Sequence, residues 1–357
     1  MRRRDILAGA GLAAGTALSF PAPAIAQQTR QLTMVTDWPE GPGMLPSARR
    51  LAQTITAASS GRIKIDVSAA GAVVRPFETF DAVQSGIADM FHSHIGFFEK
   101  KSPAFHFYSG VPYGLTANEL FAWVRFGGGQ ELWDELGGQF NIKPILSCST
   151  GAQIGGWFTR EMTSTQAFKG LRYRMAGLGA EVYRRLGAIV VLLPSAEIIP
   201  SLRSGAIDAC EMVGPWLDTA MGLHEAASHY YYPGWHEPGT AIALGVNTRV
   251  WDGFDASDRR LIEAAAASEY AVSLAEFNTN NALALRKLRA EGSVKILKFD
   301  DALLKAFAEI SKDVVAKAGS GDEISRKIYA SYQQFRTLIV DWSDISGRAY
   351  LNSRDLA

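Results

Sequence analysis

The 357-residue chain has no net charge and almost no cysteine: 36 basic side chains face 36 acidic ones, and Cys148 and Cys210 are its two thiols. Two cysteines exclude a disulfide-stapled scaffold and a four-cysteine zinc site. Charge balance removes the electrostatic case for nucleic-acid binding or for a polybasic membrane patch. After residue 26 no apolar run approaches the roughly 20 residues that span a bilayer. Also missing are a Gly-x-Ser-x-Gly elbow, a P-loop, a Rossmann glycine fingerprint and a His-Glu-x-x-His helix. A triad need not be contiguous, but no enzyme is expected.

What is present begins with an address. Arg2, Arg3 and Arg4 precede an apolar stretch from Ile6 to Phe20, and Ala24-Ile25-Ala26 supplies a small-x-small cleavage pattern. Residues 1–26 therefore read as an export signal, with the adjacent arginines favouring the twin-arginine route over the general one. Cleavage leaves 33 basic and 35 acidic groups. A slightly acidic, soluble periplasmic protein is expected. There a Cys148–Cys210 disulfide is possible, although both thiols lie in strand-like runs where a buried free thiol is the plainer reading.

The rest is rich enough in apolar and aromatic residues to build cores, and its length suits two domains. Strands are expected at 31–36 and 63–68, flanking a helix at 46–59 with Leu51 and Ile55 on one face. A helix at 77–84 and a strand at 87–94 complete an α/β unit of the parallel kind. Ala82-Val83-Gln84-Ser85-Gly86-Ile87-Ala88-Asp89 is echoed by Ser201-Leu202-Arg203-Ser204-Gly205-Ala206-Ile207-Asp208. In both, glycine closes a short helix that leads into a strand, which suggests two lobes of like construction on either side of residue 150. From 258 to 291 a helical pattern runs for about 50 Å at 1.5 Å per residue, long enough to span both lobes. A last amphipathic helix at 323–342 carries the stripe Ile324, Ile328, Tyr332, Phe335, Ile339 and Trp342, which is either core or a docking face for a second subunit.

Several polar groups carry chemistry. His92 and His94 point to one face of a strand; half-buried histidines beside a cleft is the plainer reading, two metal ligands the alternative. Arg172 and Arg174 alternate with apolar residues, as an arginine fork for a carboxylate would, although composition alone favours a surface arginine on an edge strand. Glu211 ends the apolar run 206–210, where α/β sheets place ligand contacts. Gln153 follows a strand at 144–149 in a glycine-rich turn that also offers Trp157. Tyr230-Tyr231-Tyr232-Pro233-Gly234-Trp235-His236-Glu237 reads as an aromatic pocket wall ending in a carboxylate.

These residues together resemble the DctP-type periplasmic solute-binding subunits of TRAP (tripartite ATP-independent periplasmic) transporters, over about 30–350. The most specific stretches are Gly151–Phe158, Gly170–Gly177, Gly205–Trp216 and Tyr230–Gly239. The combination is similar to the branch that binds 2-oxo or 2-hydroxy monocarboxylates, such as pyruvate or lactate, together with a metal ion.

The resemblance implies a type II periplasmic-binding fold: two α/β lobes around a ligand cleft, a long lobe-spanning helix and a C-terminal extension helix. Lobe I would be 28–149 with 240–277, lobe II 150–239 with 278–322, and 323–357 a possible dimerisation element. It implies that Arg174 pairs with the ligand carboxylate, and that Gln153, Glu211, the Met212 carbonyl and Glu237 hold the cation, with Gln153 also touching substrate. Phe97, Phe98, Trp216 and Asn247 complete the implied substrate contacts. Oxygen ligands suit Na⁺ or Ca²⁺ better than zinc or copper. Membrane permease subunits and a homodimer partner are implied as well. Where the branch commonly carries a Tyr and Trp run, this chain has Gly96-Phe97-Phe98-Glu99-Lys100-Lys101, so Glu99 and Lys100 are expected to alter the tail-reading side of the pocket. The rivals are a metal-free binder of a dicarboxylate or other organic acid, and a periplasmic metalloenzyme.

Overall fold

A computed structural model describes residues 29–354 and 356; the export signal expected at 1–26 lies outside the described residues. Among these residues, eleven strands form two sheets. The first contains β1 (Arg30–Thr36), β2 (Ile63–Ser68), β3 (Met90–Ser93), β4 (Ile142–Gly151) and β10 (Thr240–Asn247), in the order β2-β1-β3-β10-β4. The second contains β5 (Gly156–Phe158), β6 (Arg172–Arg174), β7 (Ile189–Val191), β8 (Ala209–Cys210), β9 (His229–Tyr232) and β11 (Lys295–Lys298), in the order β11-β9-β5-β8-β6-β7.

The two sheets repeat one plan. In the first, β2, β1 and β3 run parallel and β10 joins β3 antiparallel; in the second, β7, β6 and β8 run parallel and β5 joins β8 antiparallel. The sequence echo falls at matching places. Gly86 and Gly205, both at positive φ, end the helices Thr79–Ser85 and Ser195–Arg203. The aspartate that follows each glycine by three residues ties the neighbouring strand: Asp89 accepts from the Thr33 amide at 2.8 Å, and Asp208 from the Arg172 amide at 3.0 Å.

Local sequence accounts for the supporting layers. In the helix Met44–Ala58, buried Leu45, Ala48, Leu51, Ala52 and Ile55 recur at three- and four-residue spacing, as a core-facing stripe requires. The chain passes between sheets at 152–155 and again at 233–239, and the helix Ala256–Glu291 forms a third link. Near its middle Tyr270 donates to the Ala117 carbonyl at 2.8 Å on the first lobe. Further on, Asn281 accepts from the Trp216 amide at 3.0 Å on the second.

The C-terminal helix Glu323–Ser343 resolves the two readings of its stripe. Ile324, Ile328 and Tyr332 are buried, Phe335 and Ile339 pack against the same core, and the Tyr332 hydroxyl accepts from the Leu115 amide at 2.9 Å. That part is core of the first lobe. Trp342 (62% exposed) and Ile345 (75% exposed) continue the apolar strip outside it. Cys148 and Cys210 are both buried and free, one in each sheet.

Candidate functional site

The site lies at the carboxyl ends of the parallel strands, where such sheets expose chain ends and side chains to a shared crevice. Asp37 follows β1, His94 follows β3, Arg174 ends β6 and Glu211 follows β8. The passages between sheets add Gln153 and Glu237. All six line one cavity of about 40 Å³, the volume open to the centre of a water molecule. That is room for about three or four water positions, which suits a small acid.

Arg174 and Glu211 are each only 3% exposed and meet at 2.9 Å. The guanidinium is held from behind: Nε donates to the Leu193 carbonyl at 3.2 Å and Nη1 to the Glu211 carbonyl at 2.8 Å. Among the described residues Nη2 makes no hydrogen bond, which leaves one edge of the fork for an anion. Glu211 also accepts from the Ala176 amide at 3.2 Å.

Across the cavity Gln153 donates from Nε2 to Glu237 Oε2 at 2.7 Å, and the Thr240 hydroxyl donates to the same oxygen at 2.8 Å. His236 Nε2 lies 3.2 Å from Gln153 Oε1 and 3.9 Å from Glu211 Oε2, so both oxygens border one ring. Burial alone would raise the Glu237 carboxyl. The neighbouring His94 and His236 rings and the Thr240 hydroxyl outweigh it and hold the group below the usual carboxylate range. Glu237 is therefore anionic at neutral pH. Burial pushes Asp37 the other way, above its ordinary value, against hydrogen bonds from Ser93, the Phe77 amide and Thr79.

The placement of Gln153 depends on a glycine. A Cβ on Gly234 would run into the Gln153 carbonyl, so the passage 233–239 can lie against the turn that carries Gln153 only without a side chain there.

The cavity brings together Gln153, Arg174, Glu211, Met212, Glu237 and Phe97. Other expected contacts stand elsewhere. Phe98 is buried in the first lobe's core against Phe80 and Phe91, because the 3-10 turn Ile95–Phe98 directs it inward. Trp216 packs edge-on to Phe277 of the long helix, behind the cavity wall. Asn247 caps the helix Thr248–Asp252, accepting from the Arg249 amide at 2.9 Å, at the far end of β10. None of the three lines the cavity.

Arg172 does not join Arg174. It sits at the opposite end of the short strand, exposed, and chelates Asp208. Glu99 lies 3.1 Å from His106 and, like Lys100, is not part of the lining. His92 and His94 also part. His92 is fully buried, its Nδ1 accepts from Trp38 Nε1 at 2.8 Å, and burial lowers it to about 3, whereas His94 reaches the cavity. Of the aromatic run, Tyr230 stacks on Trp157 in the core at 3.9 Å between ring centroids, so the pocket wall is its last residue, Glu237. The cavity residues Asp37, Trp38 and Thr150 were not anticipated; each lies just past or at the end of a strand, and that position is the signal that marks them.

Gln153, Glu211 and Glu237 place amide and carboxylate oxygens around one space, a donor set that fits a hard cation. Among the described residues no three His, Cys, Asp or Glu side chains form such a group by themselves; the fit depends on the Gln153 amide and the Met212 carbonyl.

Two like α/β lobes, joined by crossing segments around a small anion-ready cleft, are the build of a solute-binding protein. The family described as "Bacterial extracellular solute-binding protein, family 7" matches residues 34–322. The monocarboxylate 2-oxoacid-binding periplasmic protein of Nostoc sp. is 34% identical, over 99% of this chain and 98% of that one. A TRAP transporter solute-binding protein from Bordetella bronchiseptica, a mixed-occupancy dimer with calcium and picolinate in its occupied site, superposes with a TM-score of 0.89. It is 29% identical, and the match covers 92% of this chain and 98% of that one. A Pseudoalteromonas atlantica TRAP protein with bound sodium and pyruvate gives a TM-score of 0.88 at 30% identity, covering 91% of this chain and 99% of that one. The chain belongs to the bacterial extracellular solute-binding protein family 7, the solute-binding subunits of TRAP transporters.

Proposed function

We propose that this protein captures a small 2-oxo or 2-hydroxy monocarboxylate together with one cation outside the cytoplasm and delivers it to TRAP membrane subunits. The observation that carries the reading is the free edge of the buried Arg174 guanidinium, paired with Glu211 in a small cavity that Gln153 and Glu237 also line. Pyruvate and picolinate, bound by the relatives, each carry a carboxylate with a second donor atom on the adjacent carbon. Such an acid offers two donors to a cation held by Gln153, Glu211, Glu237 and the Met212 carbonyl. Arg174 takes the remaining carboxylate oxygen.

Charge favours a divalent ion. Arg174 contributes one positive charge and the two glutamates two negative ones, so the groups that would touch ligand and cation lean towards Ca²⁺ over Na⁺. A buried site close to neutrality avoids the large cost of an uncompensated ion.

Lobe I (28–149 with 240–277) and lobe II (150–239 with 278–322) close over the ligand about the two crossings and the long helix. Binding biases that equilibrium only through contacts stronger in the closed state. Exposed Leu338, Trp342, Ile345 and Tyr350 form the face on which a second copy docks. The protein binds and releases without turnover.

Thermal unfolding with pyruvate or lactate, in the wild type and in Arg174→Ala, tests this reading. Ligand-induced stabilisation is expected in the first and absent in the second; stabilisation retained in the variant would overturn it.

A further inference from the structure

The polar atoms facing the cavity are nearly all accounted for within the protein. Arg174 pairs with Glu211, Gln153 and Thr240 with Glu237, and Asp37 with the Phe77 amide, Thr79 and Ser93. Two side chains stand apart. His94 is 5% exposed; its Nδ1 has no partner among the described residues, and its Nε2 has only a long 3.5 Å approach from Glu237 Oε1. The Thr150 hydroxyl, 1% exposed, is equally unpartnered. Both line the cavity. A buried donor or acceptor without a partner is costly, so such atoms in a binding cavity mark where a bound molecule supplies one.

Their placement is specific. His94 directly follows β3 and Thr150 lies near the end of β4, on either side of β10, so both belong to the first sheet and share the cavity with Arg174 and Glu211 of the second. Gly96 makes room for the imidazole: a Cβ there would lie 2.7 Å from His94 Cε1. Phe97 packs on the ring with centroids 4.9 Å apart.

Resting on the function proposed above, we propose that His94 and Thr150 determine specificity. The acid this site is built for carries a hydrogen-bonding group, a hydroxyl or carbonyl on C3, rather than a purely aliphatic tail. The carboxylate and the 2-oxygen engage Arg174 and the cation, while the C3 oxygen engages His94 and Thr150 at the strand ends of the first sheet. The ligand thereby bridges the lobes with hydrogen bonds made only on closure. An aliphatic tail of equal size leaves both groups unpaired, and a site built around such hydrogen bonds rejects it.

Hydroxypyruvate and 2-oxobutyrate test this directly, because they differ by a hydroxyl in place of a methyl. Calorimetric titration of each into the calcium-loaded mature protein should show hydroxypyruvate binding roughly tenfold or more tighter. In Thr150→Val, which preserves shape, and in His94→Phe, the ratio of the two affinities should fall towards one. Equal binding by the wild type, a preference for 2-oxobutyrate, or a ratio undiminished in both variants would overturn the inference while leaving the acid-binding reading in place. Binding of neither acid would overturn both.

Discussion

Arg174 and Glu211 form a 2.9 Å ion pair inside a ligand-sized cavity, each almost fully buried, with the arginine's remaining edge unused. The pair keeps the guanidinium in place before any ligand arrives and limits the rotamer freedom that binding must remove. It also makes the two residues energetically coupled, since taking one away strands the other in a low-dielectric site.

Arg174→Ala should therefore destabilise the protein by about 3 kcal/mol in the absence of ligand, because Glu211 is left buried without its partner. Adding Glu211→Gln should recover much of that loss, while ligand binding stays absent in both. Denaturant unfolding of the two single variants and the double variant measures the coupling.

Gly234→Ala should weaken ligand binding by about tenfold, roughly 1.4 kcal/mol. The new Cβ meets the Gln153 carbonyl and displaces the turn that carries the Gln153 amide. Calorimetry reads the affinity, and a single cooperative unfolding transition should persist.

Asp218 gives a pH dependence of definite sign. It accepts from Trp157, Tyr230 and the amides of Val213 and Gly214, yet burial dominates and raises it to about 6. The folded state thus holds this proton more tightly than the unfolded chain. Its stabilising contribution is fully present below about pH 4 and is lost as pH rises through about 6. Relative to Asp218→Asn, the wild type should lose up to about 3 kcal/mol between those limits. Unfolding curves for both proteins at pH 4 to 7 provide the test.

The exposed strip predicts an assembly. Trp342→Asp with Ile345→Asp should convert a dimer to a monomer in sedimentation analysis, and ligand affinity should not change, because neither residue is near the cleft.

Much of the fold was legible because its signals are local. The helix Ala256–Glu291, the strand Ile63–Ser68 and the paired Gly-to-Asp segments follow from periodicity and turn chemistry within short windows. Arg174, Gln153, Glu211 and Glu237 were legible through motifs that carry both a strand end and a polar residue. What escaped depends on direction and on distant packing. Whether Phe97 or Phe98 turns towards the cleft is decided by a single 3-10 turn, and Arg172 differs from Arg174 only in which end of a three-residue strand it occupies. The role of Trp216 is settled by Phe277, 61 residues later in the chain. The unpartnered state of His94 and Thr150 is a property of the folded site as a whole, because it depends on which neighbours are already engaged elsewhere.

The central claim, a 2-oxo acid bound with a cation, is tested most directly by titrating pyruvate into the calcium-loaded protein and into the same protein after chelation. The account predicts one saturable site per chain in the first case and at least about tenfold weaker binding in the second. Equal affinity in both, or no binding in either, would contradict it.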